Sequence, residues 1–151
     1  MKLHVGRVVL AGLAGAVAMT VLMRMAPLMG LPPMNIGRML GSKMGGNVAL
    51  GWVAHFMIGV ALAFIYALFF ASRLPGPGIA RGAIYALLPW LTAQVVMMPM
   101  MGAGFFSGSA VAAAESLMGH LVYGGVMGAV YGVSDQLAVA PRHVQARGTP
   151  S

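Results

Sequence analysis

The chain has 151 residues, of which 60% are hydrophobic and only 7% charged, with a mean hydropathy of +0.88 and a formal charge of +7. A soluble domain carries roughly a quarter of its residues as charges, so this surface is one that lipid, not water, must cover. The absence of cysteine excludes disulfides, thiolate metal sites, iron–sulfur clusters and covalently attached haem, and nine Lys and Arg residues scattered at segment ends form no stripe that would track a nucleic acid.

A membrane-spanning helix needs about 20 apolar residues, and the first candidate covers residues 8–28. Its start, Met1-Lys2 with Arg7 and then Ala16-Val17-Ala18, also has the form of a signal peptide with a cleavage site. The apolar run continues past Ala18 to Met23, however, which favours an uncleaved span. Gly30-Leu31-Pro32-Pro33 then breaks the chain, and Pro32 and Pro33 force an extended segment. Asn35 is placed to start a short amphipathic helix from Ile36 toward Met44, with Ile36, Met39 and Leu40 on one side. The second span covers residues 48–72 and ends before Pro75-Gly76-Pro77-Gly78; the third covers 82–101, with Pro89 as a mid-span kink. After a glycine-rich third loop, whose Phe105 and Phe106 are placed to help cap the bundle, the fourth span covers 109–133. The sequence thus predicts an all-α integral membrane four-helix bundle over residues 1–137, followed by a flexible cytoplasmic tail over 138–151.

Basic residues near the span ends set the orientation. Lys2, Arg7, Arg73, Arg81, Arg142 and Arg147 fall on one side, against Arg38 and Lys43 on the other. This bias predicts a multi-pass protein of the bacterial inner membrane with both termini in the cytoplasm.

The second and fourth spans share a pattern. His55, Gly59, Ala63, Tyr66 and Ala67 match His120, Gly124, Gly128, Tyr131 and Gly132 at identical spacing. The first and third spans match more weakly, through Arg7 with Arg81 and Gly30 with Gly104. The chain therefore reads as two pseudo-symmetric helical hairpins related by an axis along the membrane normal. Steps of four, four and three residues lie on one helix face, so the small residues form packing stripes and both histidines face the interior.

Arg24, His55, Gln94, Glu115 and His120 form a polar layer toward the outer face. Polar groups in hydrocarbon demand partners, and the simplest arrangement pairs Arg24 with Glu115 while the histidines and Gln94 bond between helices. Arg24 is also able to snorkel to the interface. A sharper alternative makes His55 and His120 the two axial ligands of haem b. A copper site is the variant, with His55, His120, Met98 and Met101 as soft donors among 15 methionines, although methionine is equally a filler of irregular apolar gaps.

No nucleophile elbow, phosphate loop or metalloprotease motif occurs, and Ser116, one turn before His120, lacks oxyanion donors. Glu115 and His120 are about 140° apart around a helix and do not share a face. The first expectation is a structural or accessory subunit without catalysis of its own, acting with other membrane subunits or as a homodimer. A haem or copper protein comes second. A small dimeric transporter comes third, since Pro89 and Pro99 would free carbonyls in the third span.

Met19-Thr20, Pro27, Gly30 to Gly37, Met39-Leu40-Gly41, Gly51-Trp52 with His55-Phe56, and Met98 to Gly102 carry a resemblance over most of the chain. By these residues it resembles the YagU-type small bacterial inner-membrane proteins of unknown function. The resemblance implies a four-helix inner-membrane fold, no assigned chemistry and no catalytic residue. Asn35 departs from the aspartate expected there, which weakens a charge-based role for that loop.

Overall fold

The computed structural model describes the main chain of residues 4–139, with side chains through Gly132. The described residues form helices and turns, with no strand among them. Helix α1 (Val5–Met25) ends in a tight turn over Ala26–Met29, where Gly30 takes the left-handed φ of 78° that stops the helix. The short α2 (Ile36–Ser42) starts where expected, because the Asn35 side chain accepts from the Arg38 N–H at 2.9 Å. Asn47 caps α3 (Val48–Ile65) in the same way, accepting from the N–H groups of Ala49 and Leu50. α3 continues through a wide turn at Tyr66–Phe70, where the Ala71 N–H donates five residues back to the Tyr66 carbonyl.

Helix α4 (Gly78–Thr92) carries Pro89 inside it and passes through a second wide turn, Ala93–Met97, into the single-turn α5 (Met98–Met100). A tight turn at Phe105–Gly108 leads to α6 (Ala110–Val139). α4 begins four residues before the predicted third span. Pro77 needs no amide partner at a helix start, and Gly78 can lie directly on the Gly128 carbonyl of α6. α6 outruns its predicted span and reaches Val139; the rest of the predicted tail, residues 140–151, lies outside the described residues.

Among the described residues three helical stretches are long and apolar enough to cross a membrane: Val5–Met29, Val48–Phe70 and Gly78–Met100. They mark the chain as a membrane protein. α6 is long enough but is not among the three; Glu115, Ser116, His120 and its glycines lower its hydropathy.

The four long helices pack side by side in the order α3, α1, α6, α4. Neighbours run antiparallel. Gly12 of α1 meets Gly59 and Ala63 of α3 at one end, while Arg24 reaches Trp52 at the other. Gly78 and Gly82 meet Gly128 and Gly124, and the Trp90 N–H donates to the Ala113 carbonyl at 3.2 Å further along. These crossings rest on missing side chains. A Cβ on Gly12 would stand 2.8 Å from the Val60 Cα, and one on Gly82 would run into the Gly124 carbonyl. Lipid offers apolar side chains no reason to leave it, so backbone approach at small residues is what draws such helices together.

α2 folds back on the start of α3 by the same device. Gly37 lies under the Trp52 indole, and a Cβ on Gly51 would strike the Gly37 carbonyl. α2 thereby closes one end of the assembly. The 71–77 loop closes the other, where Arg73 donates to the Phe69 carbonyl and Arg81 to the carbonyls of Ala71 and Gly76. Guanidinium groups thus satisfy carbonyls left over at the end of α3.

Candidate functional site

Three of the four helix–helix seams are closed, and the fourth is not. α3 and α4 meet near the 71–77 loop, where the Tyr85 ring packs on Tyr66 and Phe70 at centroid distances of 5.3 and 5.0 Å. There the Tyr85 hydroxyl donates to the Leu62 carbonyl at 2.8 Å. From that level toward α2 the two helices part, and a cavity of about 580 Å³ fills the space. Ile58 and Ile65 of α3 and Leu88 of α4 line it and are also exposed on the outside, so its mouth opens sideways between α3 and α4. Ile36, Met39 and Leu40 of α2 roof it. Its size lies within the range of about 300–1,000 Å³ usual for small-molecule sites.

The α1–α6 seam shows why the α3–α4 seam is open. Gly15 of α1 leaves room for the Tyr123 ring of α6, which a Cβ there would meet at 2.8 Å. Tyr123 lies in that seam and reaches α3, donating to the Gly59 carbonyl at 2.6 Å. In α4 the bulky Tyr85 stands as a strut between the helices instead.

Both histidines line the cavity. The Thr20 hydroxyl donates its proton to the Ala16 carbonyl at 2.8 Å, so its oxygen accepts from His55 Nε2, 3.1 Å away. His55 therefore carries its proton on Nε2. Its ring is wedged edge-on between Trp52 and Phe56, with centroids at 5.9 and 5.3 Å. His120 Nδ1 lies 2.8 Å from the Ser116 carbonyl, which can only accept, so Nδ1 carries the proton. In their neutral forms the two rings hold opposite tautomers. Each presents its remaining nitrogen, Nδ1 of His55 and Nε2 of His120, as an acceptor with no partner among the described residues.

Gln94 is fully buried in the wide turn that follows α4, and it lines the same cavity. Its side-chain oxygen accepts from the Ser107 hydroxyl at 2.9 Å, while its amide nitrogen is buried with no partner among the described residues. Ser107 reaches it only because Phe106 and Ser107 adopt left-handed backbone angles, φ 52° and 59°, with the Phe106 ring held 6.0 Å from Trp90. Such conformations in residues other than glycine cost about 1–3 kcal/mol each and persist where surrounding contacts enforce them.

The other two members of the predicted polar layer lie elsewhere. Arg24 is exposed, and its guanidinium stands over the Trp52 ring at 5.6 Å. Glu115 is buried against Leu22, Met23 and Ala26, with both carboxylate oxygens unpartnered among the described residues. The expected Arg24–Glu115 pair is therefore not formed: Glu115 points to the end of α1, and Arg24 turns outward from it toward α3. Met98 and Met101 do join the two histidines around the cavity, along with five further methionines of α1, the first loop, α2 and the α4 end. No cluster of three His, Cys, Asp or Glu side chains that could hold a metal occurs among the described residues.

Sequence reading missed Thr20, Tyr85, Ser107 and Tyr123. Thr20 entered the sequence reading only within the Met19-Thr20 pair of the resemblance, and Tyr85 lies one residue before Ala86, off the stripe of Gly78, Gly82 and Ala86. Nothing in the sequence pointed to Ser107.

Among the lining residues of this cavity there is no Asp, Glu, Lys or Arg, so its chemistry is that of neutral donors and acceptors in an apolar wall. No curated protein and no solved structure is recognisably similar to the chain, so the expected kinship with YagU-type proteins gains no support. What does match is a family model covering residues 4–141, from the start of α1 to beyond the last described residue, and the chain belongs to that family of unknown function (DUF6789).

Proposed function

We propose that the chain is a small accessory protein of the bacterial inner membrane, without catalysis of its own, that holds a membrane-dissolved amphiphile in the cavity between α3 and α4. The observation that carries this reading is the sideways mouth. A cavity entered between two apolar helices admits molecules from the lipid phase, and its uncharged wall with a few convergent polar groups is the usual make-up of a small-molecule site.

In this reading α6 is the fourth span, since it packs along α1 and α4 over its described length. The distribution of Lys2, Arg7, Arg73 and Arg81 against Arg38 and Lys43 supports cytoplasmic termini. A duplicated hairpin is supported by two equivalent crossings: Gly12 and Ala16 with Gly59 and Ala63, and Gly82 and Ala86 with Gly124 and Gly128; these equate Gly12 with Gly82, a register four residues off the one that matched Arg7 with Arg81. Reporter fusions in the 71–77 loop and in the loop before α3 test the topology, the first expected to report the cytoplasm and the second the outside.

The binding reading is tested through the absence of cysteine. Ser116→Cys places the only thiol of the protein in the wall of the cavity with little change of shape. In nanodiscs, N-ethylmaleimide is expected to label it from the lipid phase, and single-chain amphiphiles are expected to protect it saturably. Labelling that no single-chain molecule slows would sink the binding site.

A metal reading has one observation in its favour, the convergence of His55, His120, Met98 and Met101 on one cavity. His120 is oriented as metal-bound histidines commonly are, with Nδ1–H on a carbonyl and Nε2 free. His55 has its Nε2 bonded to Thr20, which leaves it only Nδ1 for haem b or copper. An absorption spectrum and metal analysis of the purified protein test both; no Soret band and no retained copper would end this reading.

A further inference from the structure

We infer that the polar groups in the cavity wall select a neutral lipid whose head group is a hydroxyl. The inference rests on the binding reading above and names the chemistry of its ligand.

Three groups make the selection. His55 Nδ1 and His120 Nε2 are acceptors, and local backbone and side-chain partners fix both in that role. Thr20, itself committed to the Ala16 carbonyl, fixes one, and the Ser116 carbonyl fixes the other. An apolar tail alone would leave both nitrogens buried and unbonded, a loss of about 1–3 kcal/mol for each such group. They call for a ligand that donates. The Gln94 amide N–H, buried in the same wall with no partner among the described residues, calls for a ligand that accepts. A hydroxyl offers both roles in one small group, its proton to one of the two nitrogens and its oxygen to the amide. An ether or ester oxygen accepts but cannot donate. A phosphate or a carboxylate would bring a charge into a wall where no Lys or Arg lines the cavity to balance it, and an ammonium would find no Asp or Glu.

The rest of the wall fits the rest of such a molecule. Seven methionines line the cavity, flexible and polarizable side chains that adapt to an unsaturated or ring-bearing body. The tail leaves between Ile58 and Leu88 into the bilayer. The hydroxyl has two sources in a membrane, a long-chain prenyl alcohol or the reduced ring of a prenylated quinol, and both present the same donor.

The Ser116→Cys protein reports occupancy without altering the Ser116 carbonyl that holds His120. Protection is measured with farnesol against farnesyl methyl ether, and with a prenylated hydroquinone against its dimethyl ether. At least one hydroxyl probe is expected to protect about tenfold better than its own ether, the size of one hydrogen bond to a buried group. The tighter of the two hydroxyl probes identifies the source. In the same background His120→Leu is expected to erase the hydroxyl-over-ether preference, and His120→Gln, which keeps an acceptor, to retain most of it. Ethers that protect as well as their hydroxyl counterparts in the otherwise unaltered site would overturn the inference while leaving the cavity as a lipid site. Failure of all four probes, tails included, would strike the binding reading itself. Should His120→Leu fail to fold, the comparison of probes in the His120→Gln and parent proteins still decides.

Discussion

The Tyr85 hydroxyl of α4 donates to the Leu62 carbonyl of α3 at 2.8 Å, and this bond marks the level below which the two helices touch and above which they part. The strut and the cavity are consequences of one residue. Tyr85→Phe keeps the ring between Tyr66 and Phe70 and removes only the bond. A lost hydrogen bond of this kind lowers stability by about 0.5–1.5 kcal/mol. Among the described residues the seam loses its one inter-helical side-chain hydrogen bond above the loop, so maleimide labelling of Ser116→Cys is expected to speed up in the Tyr85→Phe background. An unchanged labelling rate and unfolding midpoint would show that ring packing alone sets the width of the mouth.

Much of this arrangement was legible in the sequence, because lipid imposes few rules and they are strong. Apolar length gave four stretches, all of which are helical; Asn35 starts α2 as its side chain allows; and the spacing of His55 with Gly59 put that histidine inward. What was not legible depends on rotation and on seams. Glu115 and Arg24 lie at similar depth, and depth alone suggested a pair. The helix faces they occupy differ, so Glu115 meets Leu22 and Met23 while Arg24 meets Trp52. The open seam was hidden for a related reason, since it follows from a tyrosine in α4 where α1 offers Gly15. The two wide turns, one of which carries Gln94, have no compositional signature at all.

The glycines divide into those that hold helices together and those that do not, and two substitutions separate them. A Cβ at Gly82 would collide with the Gly124 carbonyl and stand 2.9 Å from the Gly128 Cα, and backbone on both sides cannot yield without moving α4 off α6. Gly82→Ala is expected to lower stability by about 1–3 kcal/mol, the range for overpacking. A Cβ at Gly6 meets nothing within 4 Å. Gly6→Ala is expected to be neutral or to gain about 0.5–1 kcal/mol from helix propensity. Thermal unfolding in detergent measures both, and equal effects would mean that the α4–α6 approach contributes nothing.

Arg24 and Glu115 should behave as strangers. With Arg24 over Trp52 and Glu115 facing α1, their double-mutant coupling is expected to lie within about 0.5 kcal/mol of zero, as for sites that share no partner. Glu115→Gln is expected to be tolerated or stabilising, because it removes a buried carboxylate that has no partner among the described residues and keeps its shape. A loss of more than about 2 kcal/mol on Glu115→Gln would reveal a cationic partner for the carboxylate, since breaking a buried pair has costs of that order.

Ser107 combines a backbone strain with a bond, and two substitutions pull them apart. Its φ of 59° and ψ of 18° are angles that glycine adopts freely and other residues resist by about 1–2 kcal/mol. Its hydroxyl meanwhile donates to Gln94 in the cavity wall at 2.9 Å. Ser107→Ala keeps the strain and loses the bond, which leaves the buried Gln94 oxygen unsatisfied. Ser107→Gly loses the same bond but relieves the strain. Ser107→Ala is therefore expected to be the less stable of the two, by about 1 kcal/mol, even though alanine is the closer replacement in size. Both should free the Gln94 side chain and weaken protection of Ser116→Cys by hydroxyl probes to a similar degree, since binding depends on the bond and not on the strain. If the alanine variant were the more stable, the left-handed turn would not be held against resistance; if neither variant weakened protection by hydroxyl probes, Ser107 would have no part in setting the position of Gln94.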